Sequence, residues 1–499
     1  MTNIRKTLCL ALALFMAVLA VSSCSGEGKT ADTVQTEPAV TDPSQETTLV
    51  PRVDDSLPGD LDFSGEKVIF LAPMTSRGAT VDLNALELSS EPVNDSVYNR
   101  ELYVEDRLNV NLVFPEFGST YITEIQKQAN SGDDTYSAYC GVSHEIADFC
   151  FDGYYLDLSE LDHLDLDKPW WNESFTYECS VKNHVFMISG SLSLSLLRGI
   201  TAVYFNKAMA VDYSAGIPEL NDLYSIVEDG RWTIDLVMKL GGDIYRDLNG
   251  DQIHDDEDVY GIICGGSTME MPWGAFDISI FEKDEDDWFV FNVNTEKLFT
   301  AYEKIYEIYY ETPGSASSYF DVGGDRSAGM FADGNALFLL DALNRVEMAS
   351  FRNMKDDYGI LPEPKYNEAQ KEYSSYTREY SCYTIPATNS HPDAAAAALE
   401  ALSSYSYNET VPTYLDLALK GRYMSDPESR KMIDILVGNV KIDAAWSYLE
   451  EIGAGYAPAF RYNIINKEKT FASTHASYSQ AVKRALAGYA AQYEKVFGD

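Results

Sequence analysis

The sequence predicts an α/β protein. Three observations lead there. Runs of β-branched and aromatic residues alternate with helix-patterned stretches along the whole body. No period of ~20–50 residues repeats. Apolar residues make up 45% of a 499-residue chain with 34 Tyr and 22 Phe, enough to fill large cores.

The elements follow in order. Phe63 to Ala72 (FSGEKVIFLA) predicts a buried first strand after a Gly turn. Val93, Val97, Val104 and Leu108 share one face of a helix over Val93 to Leu108, with Asn94 to Ser96 available for capping. Asn109 to Phe114 (NVNLVF) alternates as a second strand, which closes a βαβ unit. Further strands are predicted at Val185 to Ile188, Ala202 to Phe205 and Ala336 to Leu340. Helices are predicted at Trp232 to Leu240, Thr295 to Tyr310, Pro392 to Tyr405 and Tyr478 to Phe497.

Ahead of this body lies a different kind of segment. Arg5 and Lys6 precede a mostly apolar run from Leu8 to Val21, which then meets Ser22-Ser23-Cys24. A signal peptide (residues 1–23) has this layout, and the run is shorter than the ~20 residues of a spanning helix. The cysteine resembles that of a bacterial lipobox, which implies lipidation at Cys24 and an extracytoplasmic protein anchored to the outer face of the cell membrane. An ordinary secretory signal with an incidental Cys24 is the plainer alternative. Residues 24–60, rich in Thr, Glu, Asp, Pro and Ser, bury too little apolar surface to offset chain entropy and read as a disordered tether.

After signal and tether ~440 residues remain, room for two or three ordinary domains. The formal charge of −42 repels phosphate backbones, so nucleic acid is a poor partner. Beyond Cys9 and Cys24 stand Cys140, Cys150, Cys179, Cys264 and Cys382, without a CxxC pair or zinc-like spacing. One bridge, Cys140 to Cys150, fits the spacing, and the rest read as small buried hydrophobes.

Five segments then carry a resemblance. GYYLDLSELDHLDLDKPWWNESF (Gly153 to Phe175), GITAVYFNKAM (Gly199 to Met209) and MFADGNALFLLDALNRVEMAS (Met330 to Ser350) are three of them. DYGILPEPKYNEAQKEY (Asp357 to Tyr373) and YTIPATNSHPDAAAAALEAL (Tyr383 to Leu402) complete the order. Together they resemble the extracellular solute-binding proteins of ABC importers, in the carbohydrate-binding family that includes maltose-binding protein. The resemblance implies a two-lobed periplasmic-binding-protein-like fold (type II), with ligand held in a cleft between lobes joined by crossing strands. It implies lobe one at residues 61–199 plus 318–378 and lobe two at 200–317 plus 379–499. It also implies an oligosaccharide ligand, ABC permease subunits as partners, a monomer, and binding by lobe closure without catalysis.

A sugar site needs aromatic platforms and charged or amide groups for its hydroxyls. Trp273, in GGSTMEMPWGAF, is a candidate platform, with core packing as its alternative. Trp446, in IDAAWSYLE, stands where similar proteins bring an aromatic from lobe two, with core packing again the alternative. Asp341, Asn344 and Arg345 follow an apolar strand in the manner of a cleft loop, and Asp341 alternatively caps the next helix. Arg198 lies beside the first crossing, Arg77 in the turn after strand one, and His144 at the C-terminal edge of a strand, where open sheets bind ligands. Surface solvation or a structural role is the alternative for these three.

Asp247, Asn249, Asp251, Ile253, Asp255 and Asp258 occupy positions 1, 3, 5, 7, 9 and 12 of a calcium loop, the seventh through its carbonyl. The expectation is a structural calcium ion, against two departures: Gln252 where such loops have Gly, and Asp258 for the usual Glu. The sequence holds no GxSxG, HExxH or P-loop pattern. Paired carboxylates abound in so acidic a chain, so a secreted glycan hydrolase stays open as an alternative, beside a surface adhesion lipoprotein.

Overall fold

Glu66–Pro73 is the first strand (β1) of the computed structural model. That model describes residues 52–499 apart from 74–81, 84, 86, 119, 319–320, 323, 378, 420–426, 450 and 499. The helix Pro92–Leu108 buries Val97, Val104 and Leu108, and Asn109 ends it in the left-handed conformation that Asn tolerates. Val110–Val113 (β2) then returns parallel to β1, with Val68 opposite Leu112, so the expected βαβ unit is present.

The remaining strands follow along the chain. They are β3 (Glu116–Phe117), β4 (Ala138–Val142), β5 (Thr201–Asn206), β6 (Tyr245–Arg246), β7 (Val259–Cys264), β8 (Phe281–Lys283) and β9 (Phe289–Phe291). After them come β10 (Ser315–Ser317), β11 (Ala336–Ala342), β12 (Tyr358–Leu361), β13 (Ser375–Tyr376), β14 (Ser381–Thr384) and β15 (Val440–Lys441). The first sheet has the order β14-β4-β1-β2, parallel except for β14, and β3 also pairs with β1. The second has the order β10-β7-β11-β5-β12, with β6 on β7. Strands β4, β5 and β7 are buried at every residue, as expected where both faces of a sheet are covered.

These pairings correct the expected division of the chain. Residues 318–378 were assigned to lobe one, yet β11 pairs with β5 and β7, and β12 with β5, in the second sheet. Conversely β14, assigned to lobe two, lies antiparallel to β4 in the first sheet. The apolar run Ala336–Leu340 takes the central position of the second sheet, where it is fully buried on both faces. The alanine-rich helix Pro392–Tyr405 buries its small side chains in the core of the first sheet and carries the segment around β14 with it.

Two helices have the predicted bounds, Thr295–Tyr310 and Pro392–Tyr405. The helix predicted from Trp232 starts later, at Ile234, because the Thr233 hydroxyl caps it by accepting from Leu236 N. The last helix runs from Ala472 to Phe497, starting six residues before the prediction. Val185–Ile188 is not a strand: Ile188 makes an isolated bridge to Tyr383, and the chain then turns away at Gly190. A side chain at Gly190 would put its Cβ 2.0 Å from the Trp170 carbonyl, so only glycine fits against the Trp170-Trp171 corner. Among the described residues no helix is long and apolar enough to cross a membrane.

All five described cysteines are free and buried, so the Cys140–Cys150 bridge is not formed. Burial pushes the thiols up, Cys179 and Cys264 to about 12, which keeps them protonated and inert.

Candidate functional site

The chain passes from the first sheet to the second between the helix Leu194–Arg198 and β5, and returns between β13 and β14. At the C-terminal end of β4 the chain enters a short helix, Ser143–Ala147, which places His144 at the sheet edge. The second crossing brings Thr377, Glu379 and Tyr380 beside it. Trp446 and Leu449 come from around the turn Ala444–Ser447, and Pro458, Arg461 and Tyr462 from the helix Tyr456–Ile465. These residues line a recess of about 160 Å³.

Local chemistry sets each wall. In the helix Tyr456–Ile465, Tyr456, Ala457, Phe460 and Ile464 face the core, which turns Pro458, Arg461 and Tyr462 to the recess at i, i+3 and i+4. Tyr462 is 60% exposed and so offers a free aromatic face. The Arg461 guanidinium pairs with buried Glu270 at 3.2 Å, which fixes the cation at the wall. Tyr380 is buried, its carbonyl accepting from Ser143 N at 3.1 Å and its hydroxyl 3.3 Å from Ser447 Oγ. Burial raises the Tyr380 phenol well above its ordinary value, so it stays neutral. Glu379 has φ of 62°, a left-handed conformation that costs a non-glycine residue energy and that clusters at ligand sites. Thr377 Oγ1 donates to the Leu196 carbonyl at 3.0 Å and joins the two crossings under the recess.

Two of the predicted ligand residues, His144 and Trp446, meet in this recess. Asp341 and Arg345 lie near it. Gly265 packs on Asp341, and the neighbouring Gly266 leaves room for Arg461, so Asp341 and Arg461 flank one glycine pair. Asp341 and Arg345 pair with each other at 2.9 Å, and Asp341 Oδ1 also accepts from Ala342 N at 2.7 Å. Half-buried Asn344 occupies the same 3-10 turn as Arg345. Arg198 is bound to Glu347 at 2.6 Å rather than lining the recess. Arg77 lies outside the described residues.

Trp273 corrects the platform expectation. It is 3% exposed, with Phe460 edge-on at 5.3 Å and Tyr456 at 6.2 Å. Both indole faces are enclosed by core, so its role is to back the helix that carries Arg461 and Tyr462.

The acidic loop is likewise taken up with its own backbone. Asp247 accepts from Gly250 N and Gln252 N at 2.6 and 2.9 Å, and Asp251 from Ile253 N at 2.8 Å. Gln252 adopts φ of 63°, the turn that glycine makes in calcium loops. Asp258, the expected twelfth ligand, is fully buried and gives its oxygens to Tyr245 Oη and Leu248 N. Asn249 donates to Asp251 and Glu257. Among the described residues no three His, Cys, Asp or Glu side chains converge as a metal site of those groups requires.

Sequence reasoning missed Thr377, Glu379, Tyr380, Arg461 and Tyr462. Arg461 and Tyr462 carried a readable signal, a polar-aromatic face opposite Phe460 and Ile464. The resemblance implies a crossing near Thr377 to Thr384, but those residues carried no binding signal of their own, because only the return to the first sheet brings Thr377, Glu379 and Tyr380 to His144.

The arrangement is a cleft floor between two sheets joined by crossing strands. A sugar transporter from Rhizobium etli in an open conformation matches it with a TM-score of 0.51, over 85% of this chain and 99% of that one, at 12% identity. A cyclo/maltodextrin-binding protein complexed with maltotetraose matches with a TM-score of 0.50, over 87% and 99%, at 10% identity. The chain has the two-lobed fold of periplasmic solute-binding proteins. No family model and no curated protein matches the sequence. In this binding-protein fold the recess lies at the C-terminal edge of the first sheet, where open α/β sheets hold ligands.

Proposed function

We propose that this chain is a lipid-anchored, extracytoplasmic binding protein that captures a carbohydrate for an ABC importer by lobe closure, without bond chemistry. One observation carries the reading: the recess joins two aromatic side chains, Trp446 and Tyr462, to the charged or polar groups of His144, Glu379 and Arg461. Aromatic faces take the C–H faces of sugar rings, and charge-assisted hydrogen bonds take the hydroxyls. The fold shared with the Rhizobium etli sugar transporter and with the maltotetraose-bound protein supports the same class of ligand. The recess of about 160 Å³ is smaller than a typical ligand pocket of ~300–1,000 Å³, so an oligosaccharide would extend beyond it along the cleft.

The fold also explains how capture is signalled. Ligand contacts made from both sheets favour the arrangement in which they approach, and a permease recognises that arrangement. The anchor is Cys24, with the stretch that follows it as the leash; Val53 to Asp60, expected in the tether, belong to the body instead, with Leu57 buried and Ser56 Oγ donating to Glu400 at 2.7 Å. Incubating the purified protein with a panel of oligosaccharides tests the function. A raised melting temperature with the sugar recovered intact supports capture. Release of shorter products, or no response to any glycan, overturns it. Cys24→Ser tests the anchor: the variant should leave the membrane fraction and keep its sugar affinity.

A further inference from the structure

A second recess, of about 550 Å³, meets the opposite end of β13 from the first: Ser374, just before the strand, lines this one and Thr377, just after it, the other. Its chemistry is opposite to that of the chain as a whole. Acidic residues outnumber Lys and Arg by 79 to 37 overall, yet here Lys297, Lys371 and Lys441 face Asp277 and Glu372.

The cations are incompletely neutralised. Asp277 gives its carboxylate to Lys441 at 3.6 Å, while Lys297 Nζ, among the described residues, donates to the Asp277 main-chain carbonyl at 3.0 Å and to no carboxylate. Lys371 is exposed and has no ion-pair partner among the described residues. Tyr366 forms one wall, with Lys297 and Lys304 at 5.5 and 5.4 Å from its ring centroid. Burial lowers the pKa of Lys297, against the opposing pull of the Asp277 charge.

Neutral groups complete the lining. Asn367 Oδ1 accepts from Ala369 N and Gln370 N, at 3.0 and 3.1 Å, which leaves its amide hydrogens for a ligand. Asn439 donates to the Tyr373 carbonyl at 3.0 Å, which leaves its carboxamide oxygen to accept from a hydroxyl. A site of this volume, with unneutralised ammonium groups, an amide donor and an amide acceptor, suits a polyhydroxylated ring that carries an anionic group.

We propose that this recess is a second binding site, for an anionic saccharide: a sugar bearing a carboxylate or a sulfate. It is separate from the cleft and stands whether or not the cleft takes a neutral sugar.

The test is calorimetric titration of the full-length protein at low salt with glucuronate, glucose 6-sulfate, glucose and inorganic sulfate. The charged sugars should bind about tenfold more tightly than glucose, and 0.5 M sodium chloride, about half-molar, should weaken them. Glucuronate or glucose 6-sulfate as the tighter of the two identifies the charged group. Lys371→Gln, an exposed change that leaves the fold alone, should weaken binding about fivefold, and Lys297→Met more. Tyr462→Ala, in the cleft, should leave this affinity unchanged. Equal affinity for glucose, binding of sulfate as tight as that of the charged sugars, or an unaltered Lys371→Gln variant each overturns the proposal.

Discussion

Ser381 N donates to Ser195 Oγ at 3.0 Å, across 186 positions of sequence. Ser195 Oγ in turn donates to Asp82 Oδ2 at 2.6 Å, and Ser195 N to Asp82 Oδ1 at 2.7 Å. The two serines flank two of the crossings between the sheets, so one buried carboxylate ties those crossings together. Arg100 holds the same corner from the helix Pro92–Leu108, donating to the Asp82 carbonyl at 2.6 Å and to Ser406 Oγ at 3.0 Å.

Stability should fall as this carboxylate ionises. Burial pushes Asp82 up to about 6, against the hydrogen bonds from Ser195 and the Arg100 charge. A folded value raised above the ordinary 3.8 means that the stabilisation is fully present below pH ~4 and is lost as pH rises through ~6. The change is about 3 kcal/mol by linkage. Asp82→Asn keeps the shape and removes the titration. Its melting temperature should therefore decline less than that of the parent between pH 4 and 7. Parallel melting curves over that range would sink the idea.

Asp443 makes the contrasting case. It too is raised to about 6 by burial, but its two oxygens each accept from a backbone N–H, those of Ile280 and Ala445. An asparagine there loses one acceptor, so Asp443→Asn should destabilise by about 1–3 kcal/mol at pH 7. Urea unfolding measures it, and a neutral result would contradict the two-acceptor role.

Trp273 and Tyr462 should separate stability from binding. Trp273→Ala removes an enclosed side chain and should cost about 3–5 kcal/mol of stability. Tyr462→Ala removes an exposed ring and should shift the melting temperature little while weakening sugar affinity about tenfold. A stable Trp273→Ala protein with lost binding would reverse the two assignments.

At Gly190 a single methyl should be felt. Its Cβ would lie 2.0 Å from the Trp170 carbonyl and 2.9 Å from Trp171 Cα, both backbone atoms that move only with the corner. Gly190→Ala should lower stability by about 1–3 kcal/mol, read by chemical denaturation. An unchanged midpoint would show that the corner yields.

Much of this molecule was legible along the chain. The helix Thr295–Tyr310 has the bounds that the sequence predicts, and Asn294 caps it by accepting from Lys297 N at 3.1 Å. The βαβ unit from β1 to β2 is local in the same sense, since every signal for it lies within one short segment. His144, which lines the recess, was legible because a strand end is a local feature, and Trp446 because of a resemblance in order.

What sequence determined alone is therefore what neighbouring residues decide: the identity of most strands and helices, the acid-rich composition and the α/β class. Tertiary structure decided the rest. Ala336–Leu340 reads as a strand from its own residues, but its place beside β5 and β7 depends on which partners bury it on both faces. Trp273 is a tryptophan in any register; only the packing of Phe460 and Tyr456 around it makes it core. The same holds for the crossing residues Thr377, Glu379 and Tyr380, whose meeting with His144 is fixed by hydrogen bonds between strands hundreds of residues apart. Propensity and periodicity act over a few turns of chain, whereas burial and pairing are settled between segments that the sequence does not place side by side.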